Sequence, residues 1–422
     1  MIQSNRVQKT ILVLVDIFLL YFSLFIALII RDFSPPTAEV WNIHLLPFSI
    51  INILWLLIFY IAGFYNTEKK HLFYLSEIFV AVISGGVIAV FLFYLFPSFG
   101  ITPKTNLMID VLIASFLIWG WRLAFVSLLT RAAKVRIFFL GDFKEKEDLL
   151  KNLFGYEPVE DLSQANIVIV SETVKQNPEA VESLYKMIHF GKTIIGFDKF
   201  YEFITGKIPV STIGKTWFLE NLVEINKQTF RKFKRAMDVV FSLFFFIILM
   251  ILFPFVALAI KINGSGPVLY RQKRVGQNGK IFELIKFRSM LHNSESQGGG
   301  WKKPEEKDRR ITFIGNILRK TRIDELPQVW NVLRGDLSFV GPRPERSEFV
   351  RELEKKVPYY SIRQIVKPGL TGWAQIHFGD ASAEDALKKL QYDLFYIKNR
   401  SLLLDIVILL KTIMVVLQTS GK

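Results

Sequence analysis

The sequence predicts three consecutive units. A membrane α-helical bundle covers residues 1–133, a small Rossmann-like α/β unit covers 134–226, and a C-terminal domain over 227–422 is tied to the membrane by a reentrant helix at 239–262. Three observations predict this order. Four apolar runs, each of roughly 20 residues or more, crowd the first third of the chain. Short β-like runs then alternate with helical spacing. Finally, a proline-interrupted apolar run with basic residues on both sides precedes a stretch dense in charge, Gly and Pro.

Composition points the same way. The chain is 51% hydrophobic and 14% aromatic with 39 Phe, more apolar side chain than a soluble protein of 422 residues needs. Its net charge of +15 suits an anionic lipid surface and a phosphate-rich substrate. Nucleic acid is set aside as a partner, because no helix-turn-helix, finger or RNA-binding signature accompanies the charge. Cysteine is absent, which excludes disulfides, thiolate metal sites and a cysteine nucleophile.

The four runs are Ile11 to Ile30, Leu45 to Phe64, Leu72 to Phe96 and Leu107 to Leu129. Each can cross a hydrocarbon core of about 30 Å as a helix. Arg6, Lys9, Lys69, Lys70, Arg131, Lys134 and Arg136 fall in loops on one side, and the positive-inside bias makes that side the cytoplasm. Asp16, Asp110 and Arg122 interrupt the runs. Pairing within the bundle or snorkelling is one reading of them, and a substrate path is the other.

Between about 135 and 215 the chain turns soluble. Val135 to Gly141, Ala165 to Val170 and Lys192 to Phe197 have strand character, and Pro178 to Phe190 has helical spacing. A parallel α/β unit follows, but Gly141-Asp-Phe-Lys lacks the further glycines of a dinucleotide fingerprint. Gly191-Lys-Thr193 and Gly214-Lys-Thr216 likewise lack the leading glycine of a P-loop, so this unit is expected to be a spacer or regulatory module.

The fifth run, Val239 to Ile262, has Arg231, Lys232, Lys234 and Arg235 before it and Lys261, Arg271, Lys273 and Arg274 after it. A spanning helix should show charge asymmetry. Pro254, mid-run, predicts a kink. A helix that enters the cytoplasmic leaflet, bends and returns accounts for both features. A kinked spanning helix competes with it, but would strand the rest of the chain outside the cell. The last apolar stretch, Leu402 to Leu417, carries Asp405 and Lys411 and is expected to lie at the interface.

The chemistry concentrates between Lys286 and Gly372. At its centre stands Arg319-Lys-Thr-Arg-Ile-Asp-Glu-Leu-Pro-Gln328. Pro327 suits a first helical turn, which puts Asp324 and Glu325 at the positive end of a helix where a carboxylate is favoured as the anion. Such a carboxylate can attack phosphorus, and adjacent carboxylates suit Mg²⁺. Taken bare, the same pair is more often a cap or a solvated face.

From about Lys234 onward the sequence resembles the monotopic polyprenyl-phosphate phosphoglycosyltransferases. The matching stretches include Lys234-Arg-Ala-Met-Asp238, Phe282-Glu-Leu-Ile-Lys-Phe-Arg-Ser-Met290, Asp324-Glu-Leu-Pro-Gln328, Asn331-Val-Leu-Arg-Gly-Asp336, Val340-Gly-Pro-Arg-Pro344, Lys367-Pro-Gly-Leu-Thr-Gly-Trp-Ala-Gln375 and Tyr392-Asp393. The helical start and degenerate α/β unit resemble the long members of that family. The resemblance implies a monotopic catalytic domain, mostly helical with α/β content, on the cytoplasmic face of the bacterial inner membrane in a multi-pass protein. It implies transfer of a sugar 1-phosphate from a UDP-sugar to a polyprenyl phosphate, with release of UMP, as the first membrane step of polysaccharide assembly. Asp324 is then the nucleophile, and Glu325 completes the dyad with Mg²⁺ coordination or proton handling. Lys286, Arg288, Arg343 and Arg319 are expected at substrate phosphate or nucleotide, with a structural ion pair as the competing role for Arg288. Pro254 marks the reentrant kink, preceded by Phe253 where many members carry a small or polar residue. Arg322 replaces a common Ser or Asn before the dyad. The sugar is not readable from any motif, and a homodimer through the membrane unit is the working expectation for assembly.

Overall fold

Apolar runs too long for a soluble core become helices. The computed structural model describes residues 2–65, 78–79, 81–83, 85–87, 89–90, 104–131, 134–153, 155–222, 228–291, 310–378 and 385–419. They group into two units: residues up to 196 without 143–145, and those three residues with 197–422.

In the first unit, α1 (Ile2–Asp32), α2 (Ala38–Ala62) and α3 (Lys104–Arg131) are long helices. Each contains a stretch long and apolar enough to cross a membrane. The third expected run, Leu72 to Phe96, falls largely outside the described residues. Leu12, Leu20, Phe48, Trp55, Phe59 and Ile118 fill the bundle core, while Leu14, Phe18, Leu46, Ile53 and Phe116 face outward. The charges inside are paired. Asp16 and Arg122 form a fully buried ion pair at 2.5 Å, and Ser23 donates to Asp110. Pairing within the bundle, one of the two readings of these residues, is therefore present.

The same unit holds a four-stranded parallel sheet of order β2-β1-β3-β4. Its strands are β1 (Val135–Leu140), β2 (Tyr156–Pro158), β3 (Ile167–Val170) and β4 (Thr193–Gly196). β3 is central and buried at all four positions, as its unbroken Ile-Val-Ile-Val requires. Pro178, after the Asn177 cap, starts α4 (Pro178–His189). Lys192 donates its ammonium to the carbonyls of Leu162, Ser163 and Ala165, a structural use that agrees with the missing phosphate loop. Sequence spacing passed over β2, which is three residues long and ends in proline at a sheet edge.

The second unit begins earlier than composition suggests. Residues 197–222, read from sequence with the α/β unit, pack on the C-terminal domain: Glu202 pairs with Lys398 at 2.6 Å, and the Trp373 indole donates to the Gly206 carbonyl. The long helix α5 (Gln228–Ile262) follows, then the antiparallel hairpin β5 (Leu269–Val275) and β6 (Ile281–Phe287). Next come α6 (Phe313–Lys320), a 3₁₀ turn at Ile323–Gln328, α7 (Val329–Arg334) and β7 (Ser338–Val340). The chain continues through α8 (Ser347–Lys356) and β8 (Gly369–Thr371), parallel to β7, and ends in α9 (Ala386–Asn399) and α10 (Leu402–Thr419).

α5 continues as helix on both sides of Pro254. Arg235, Asp238, Ser242, Phe246, Leu249, Phe253, Val256 and Ile260 recur at steps of three or four along one face. That face packs throughout on its own unit. Arg235 donates to the carbonyls of Val332 and Leu333, Asp238 accepts from Ser338 and the Phe339 amide, Phe246 meets Trp330 and Phe253 meets Phe287. The remaining surface, including Val240, Phe244, Ile247, Ile251, Phe255 and Leu258, is apolar and exposed.

α10, the helix that takes in Leu402 to Leu417, packs one face on its own unit and leaves Leu403 and Ile413 exposed. Its Asp405 is buried against Lys234 at 2.6 Å and the Tyr396 hydroxyl, its Ile408 is fully buried, and its Thr412 bonds Thr371. Asp405 and Thr412 are thus its bonds to the rest of the unit.

Candidate active site

Local chain geometry builds the site. The Thr312 hydroxyl caps α6 by accepting from the Gly315 amide. α6 ends at Lys320, and Arg322 adopts a left-handed conformation with φ 58° that turns the chain into the 3₁₀ segment. A long side chain is uncommon there, whereas Asn is at ease. Asp324 and Glu325 thus fall in the first turn, with Pro327 setting the backbone just before α7. Gly335 ends α7 in the left-handed region, and Arg235 takes two of its last carbonyls.

The hairpin is stitched to this turn by one side chain. Asn331 accepts from the Ile285 amide at 3.1 Å and donates to the Glu283 carbonyl at 2.7 Å. Lys286, next in β6, thereby reaches Glu325 Oε1 at 3.2 Å. Arg343, from the loop after β7, reaches the same oxygen at 3.2 Å, and Arg322 stands 4.0 Å from it. Arg319 donates to the Ser289 hydroxyl at 3.0 Å, within electrostatic range of Asp324.

The two carboxyls therefore differ. Burial alone would raise Glu325, but the charges of Arg343, Lys286 and Arg322 outweigh it and hold the carboxyl at about 2. Asp324 is only 7% exposed, and burial, then the Glu325 charge, push its pKa above the ordinary value while Lys286, Arg319 and Arg322 pull it back. The turn of chain favours the anion less than the sequence suggested, because desolvation dominates. Lys286 is itself lowered by burial, an effect that Glu325 opposes.

Of the residues singled out by sequence, Asp324, Glu325, Lys286, Arg343 and Arg319 come together. Arg288 is committed elsewhere. Its guanidinium donates to the carbonyls of Ile260, Gly264 and Ser265, closing the C-terminal end of α5. All three bonds go to backbone oxygens. Pro254 lies on the exposed side of α5. Asn331 and Ser289 were missed as individuals: both lie inside quoted motifs, and a polar Asn within Val-Trp-Asn-Val-Leu was the available signal.

The dyad suits a divalent cation. Asp324 Oδ1 is buried and accepts no hydrogen bond, so it keeps a free acceptor oxygen beside the Glu325 carboxyl. Among the described residues no group of three or more His, Asp or Glu that could hold a metal ion is present, so any cation here would have these two carboxylates as its protein ligands.

Comparison with known proteins covers the part of the chain that holds this site. The bacterial sugar transferase family model matches residues 229–419. Over 189 residues the chain is 43% identical to the UDP-N-acetylgalactosamine-undecaprenyl-phosphate N-acetylgalactosaminephosphotransferase of Aeromonas hydrophila, covering 44% of each chain. It is 38% identical over 208 residues to the undecaprenyl-phosphate galactose phosphotransferase of Salmonella typhimurium, covering 46% of this chain and 42% of that one. Over 191 residues it is 38% identical to a UDP-glucose:undecaprenyl-phosphate glucose-1-phosphate transferase of Caulobacter vibrioides, 44% of this chain and 71% of that protein. The chain belongs to the bacterial sugar transferase family. The aligned stretch spans less than half of the first two relatives.

Proposed function

We propose that this protein transfers a sugar 1-phosphate from a UDP-sugar to undecaprenyl or another polyprenyl phosphate, at the cytoplasmic face of a bacterial inner membrane. The observation that carries the reading is a buried Asp324 with a free oxygen, next to a Glu325 whose charge is met by Lys286, Arg343 and Arg322. An Asp324 oxygen attacks the sugar-linked phosphorus, the bond to the bridging oxygen breaks, and UMP leaves with that oxygen. An oxygen of the polyprenyl phosphate then attacks the same phosphorus and releases the Asp324 carboxylate. Lys286, Arg343 and Arg319 supply fixed positive charge where the phosphates must sit. Asp324 and Glu325 would hold Mg²⁺, which when bound offsets pyrophosphate charge.

The reentrant reading of α5 belongs to this proposal. From Arg235 to Ile260 a straight helix rises about 38 Å, more than the hydrocarbon thickness of about 30 Å. Yet Arg235 grips α7 and Ile260 is held by Arg288 just past β6, and α7 and β6 are stitched together by Asn331. Both ends therefore remain with one folded unit while the apolar face stays free for lipid. An acceptor phosphate at the bilayer surface then meets the dyad without leaving its membrane.

The test is UMP release by purified protein with Mg²⁺, undecaprenyl phosphate and a panel of UDP-sugars. Release with one sugar that is lost in Asp324→Ala is expected, and it names the donor. Release that survives in Asp324→Ala, or no release with any donor by folded, lipid-bound protein, overturns the proposal.

A further inference from the structure

Arg343 sits between two prolines, and neither Pro342 nor Pro344 has an amide hydrogen. The loop that carries Arg343 must therefore be held largely by its carbonyls. Three consecutive ones are taken. The Pro342 carbonyl accepts from the Gly369 amide at 2.9 Å, the Arg343 carbonyl from Arg363 Nη2 at 3.1 Å, and the Pro344 carbonyl from Arg274 Nη1 at 2.9 Å. The first contact needs glycine on both strands: a Cβ at Gly369 would stand 2.1 Å from the Gly341 nitrogen.

The other two contacts come from arginine side chains that make no contact with the dyad. Arg363 is 7% exposed, and it meets Asp393 at 2.7 Å, Glu345 at 3.5 Å and the Tyr360 hydroxyl. Asp393, on α9, is 1% exposed, and Lys389 on the same helix reaches Glu345 at 3.7 Å. Arg274 is held in turn by Gln272, at 3.0 Å and 2.6 Å. A buried ion cluster of this kind is a poor source of net stability, since apolar residues of the same volume usually do as well. What it supplies here is a fixed fork aimed at one backbone oxygen.

We infer that Arg363, oriented by Asp393, and Arg274 are positioning residues that set the Arg343 guanidinium against Glu325 by clamping the carbonyls of residues 343 and 344. The kinetic side of this inference rests on the proposed transferase reaction, and its structural side does not. Arg363→Lys keeps the charge but cannot span Asp393, Tyr360 and the Arg343 carbonyl together, because an ammonium has no fork. Asp393→Asn removes the counter-charge that orients the fork.

Two measurements decide it on the full-length protein in detergent or lipid. Hydrogen exchange of the Gly341, Gly369 and Val275 amides, which donate to the Thr371, Pro342 and Glu345 carbonyls, should accelerate in Arg363→Lys and in Asp393→Asn, with amides of β6 and α7 unchanged. This holds whether or not a donor sugar has been found. In turnover, each variant should lower kcat/KM for the donor by about 10- to 100-fold, the scale of a small misplacement near reacting groups. In an Arg343→Ala background the same substitutions should cause no further loss. Losses that multiply in the double variants, or loop exchange that stays at the wild-type rate, overturn the inference. Should the Arg363 and Asp393 variants fail to fold, Arg274→Gln carries the same two expectations from the other clamp. Absence of turnover in wild type would remove the transferase reading and leave the exchange result to decide the positioning.

Discussion

Glu325 and Glu345 are both half-buried carboxylates, yet each is held more acidic than usual because cations outnumber the carboxyl they face. Burial alone would raise Glu345; Arg363, Lys389, Arg274 and Arg343 outweigh it and lower its pKa below 4.5. A carboxyl that is more acidic folded than unfolded stabilises the folded state above its unfolded pKa, and that contribution fades as pH falls through the folded value. The melting temperature of the wild type should therefore drop as pH is lowered below about 4.5, the ordinary Glu value. Glu345→Gln should start lower at pH 7 and lose less over the same window, as read by thermal denaturation. A variant that loses as much as the wild type would mean that other carboxylates govern acid stability. Which charges meet is the part that sequence could not supply. Lys286, Arg343 and Glu325 were each legible as chemistry, but their meeting at one oxygen depends on a hairpin and a loop far apart in the chain. The same holds for Arg288: its partners are backbone carbonyls of Ile260, Gly264 and Ser265, which leave no mark in side-chain order.

At the scale of elements, the site depends on β6 and α7 keeping register, and Asn331 is the joint. Its amide satisfies one backbone donor and one backbone acceptor of the Glu283–Ile285 segment, and its side chain is fully buried. Asn331→Ala leaves both groups unpaired in the interior, so stability should fall by roughly 2–4 kcal/mol. The strand carrying Lys286 is loosened at the same time, so donor turnover should fall even at temperatures where the variant is fully folded. Chemical denaturation and UMP release on the same preparation separate the two effects. Full activity in a destabilised but folded variant would make Asn331 a matter of stability alone. The elements most legible in sequence are those whose pattern is local: β3 from its apolar run, α4 from its helical spacing, α5 from its length. β2 has no signature because three residues carry no period, and the partners of Asp405 and Thr412 in α10, Lys234 and Thr371, are too distant in sequence to be read there.

For the molecule as a whole, the question is where the membrane lies along α5. Arg235 and Ile260 are both bound to one folded unit, and the outward face between them is apolar. If α5 is reentrant, residues before and after it share the cytoplasmic side. If it spans, the dyad lies on the opposite side from Arg235, away from soluble nucleotide sugar. The chain contains no cysteine, so single cysteines can report topology without background. Lys232→Cys and Asn263→Cys flank the apolar stretch. A membrane-impermeant maleimide should label both in inside-out vesicles and neither in right-side-out vesicles. Labelling of Asn263→Cys from the outer face would make α5 a crossing helix, and the proposed reaction would then lack its donor. The basic residues on both flanks favour the first outcome, since moving Arg271, Lys273 and Arg274 across the bilayer works against the positive-inside bias. The same result would leave Lys286 and Arg343 on the side from which a soluble nucleotide sugar arrives, where fixed cations can also meet the phosphate of an acceptor whose tail stays in the hydrocarbon.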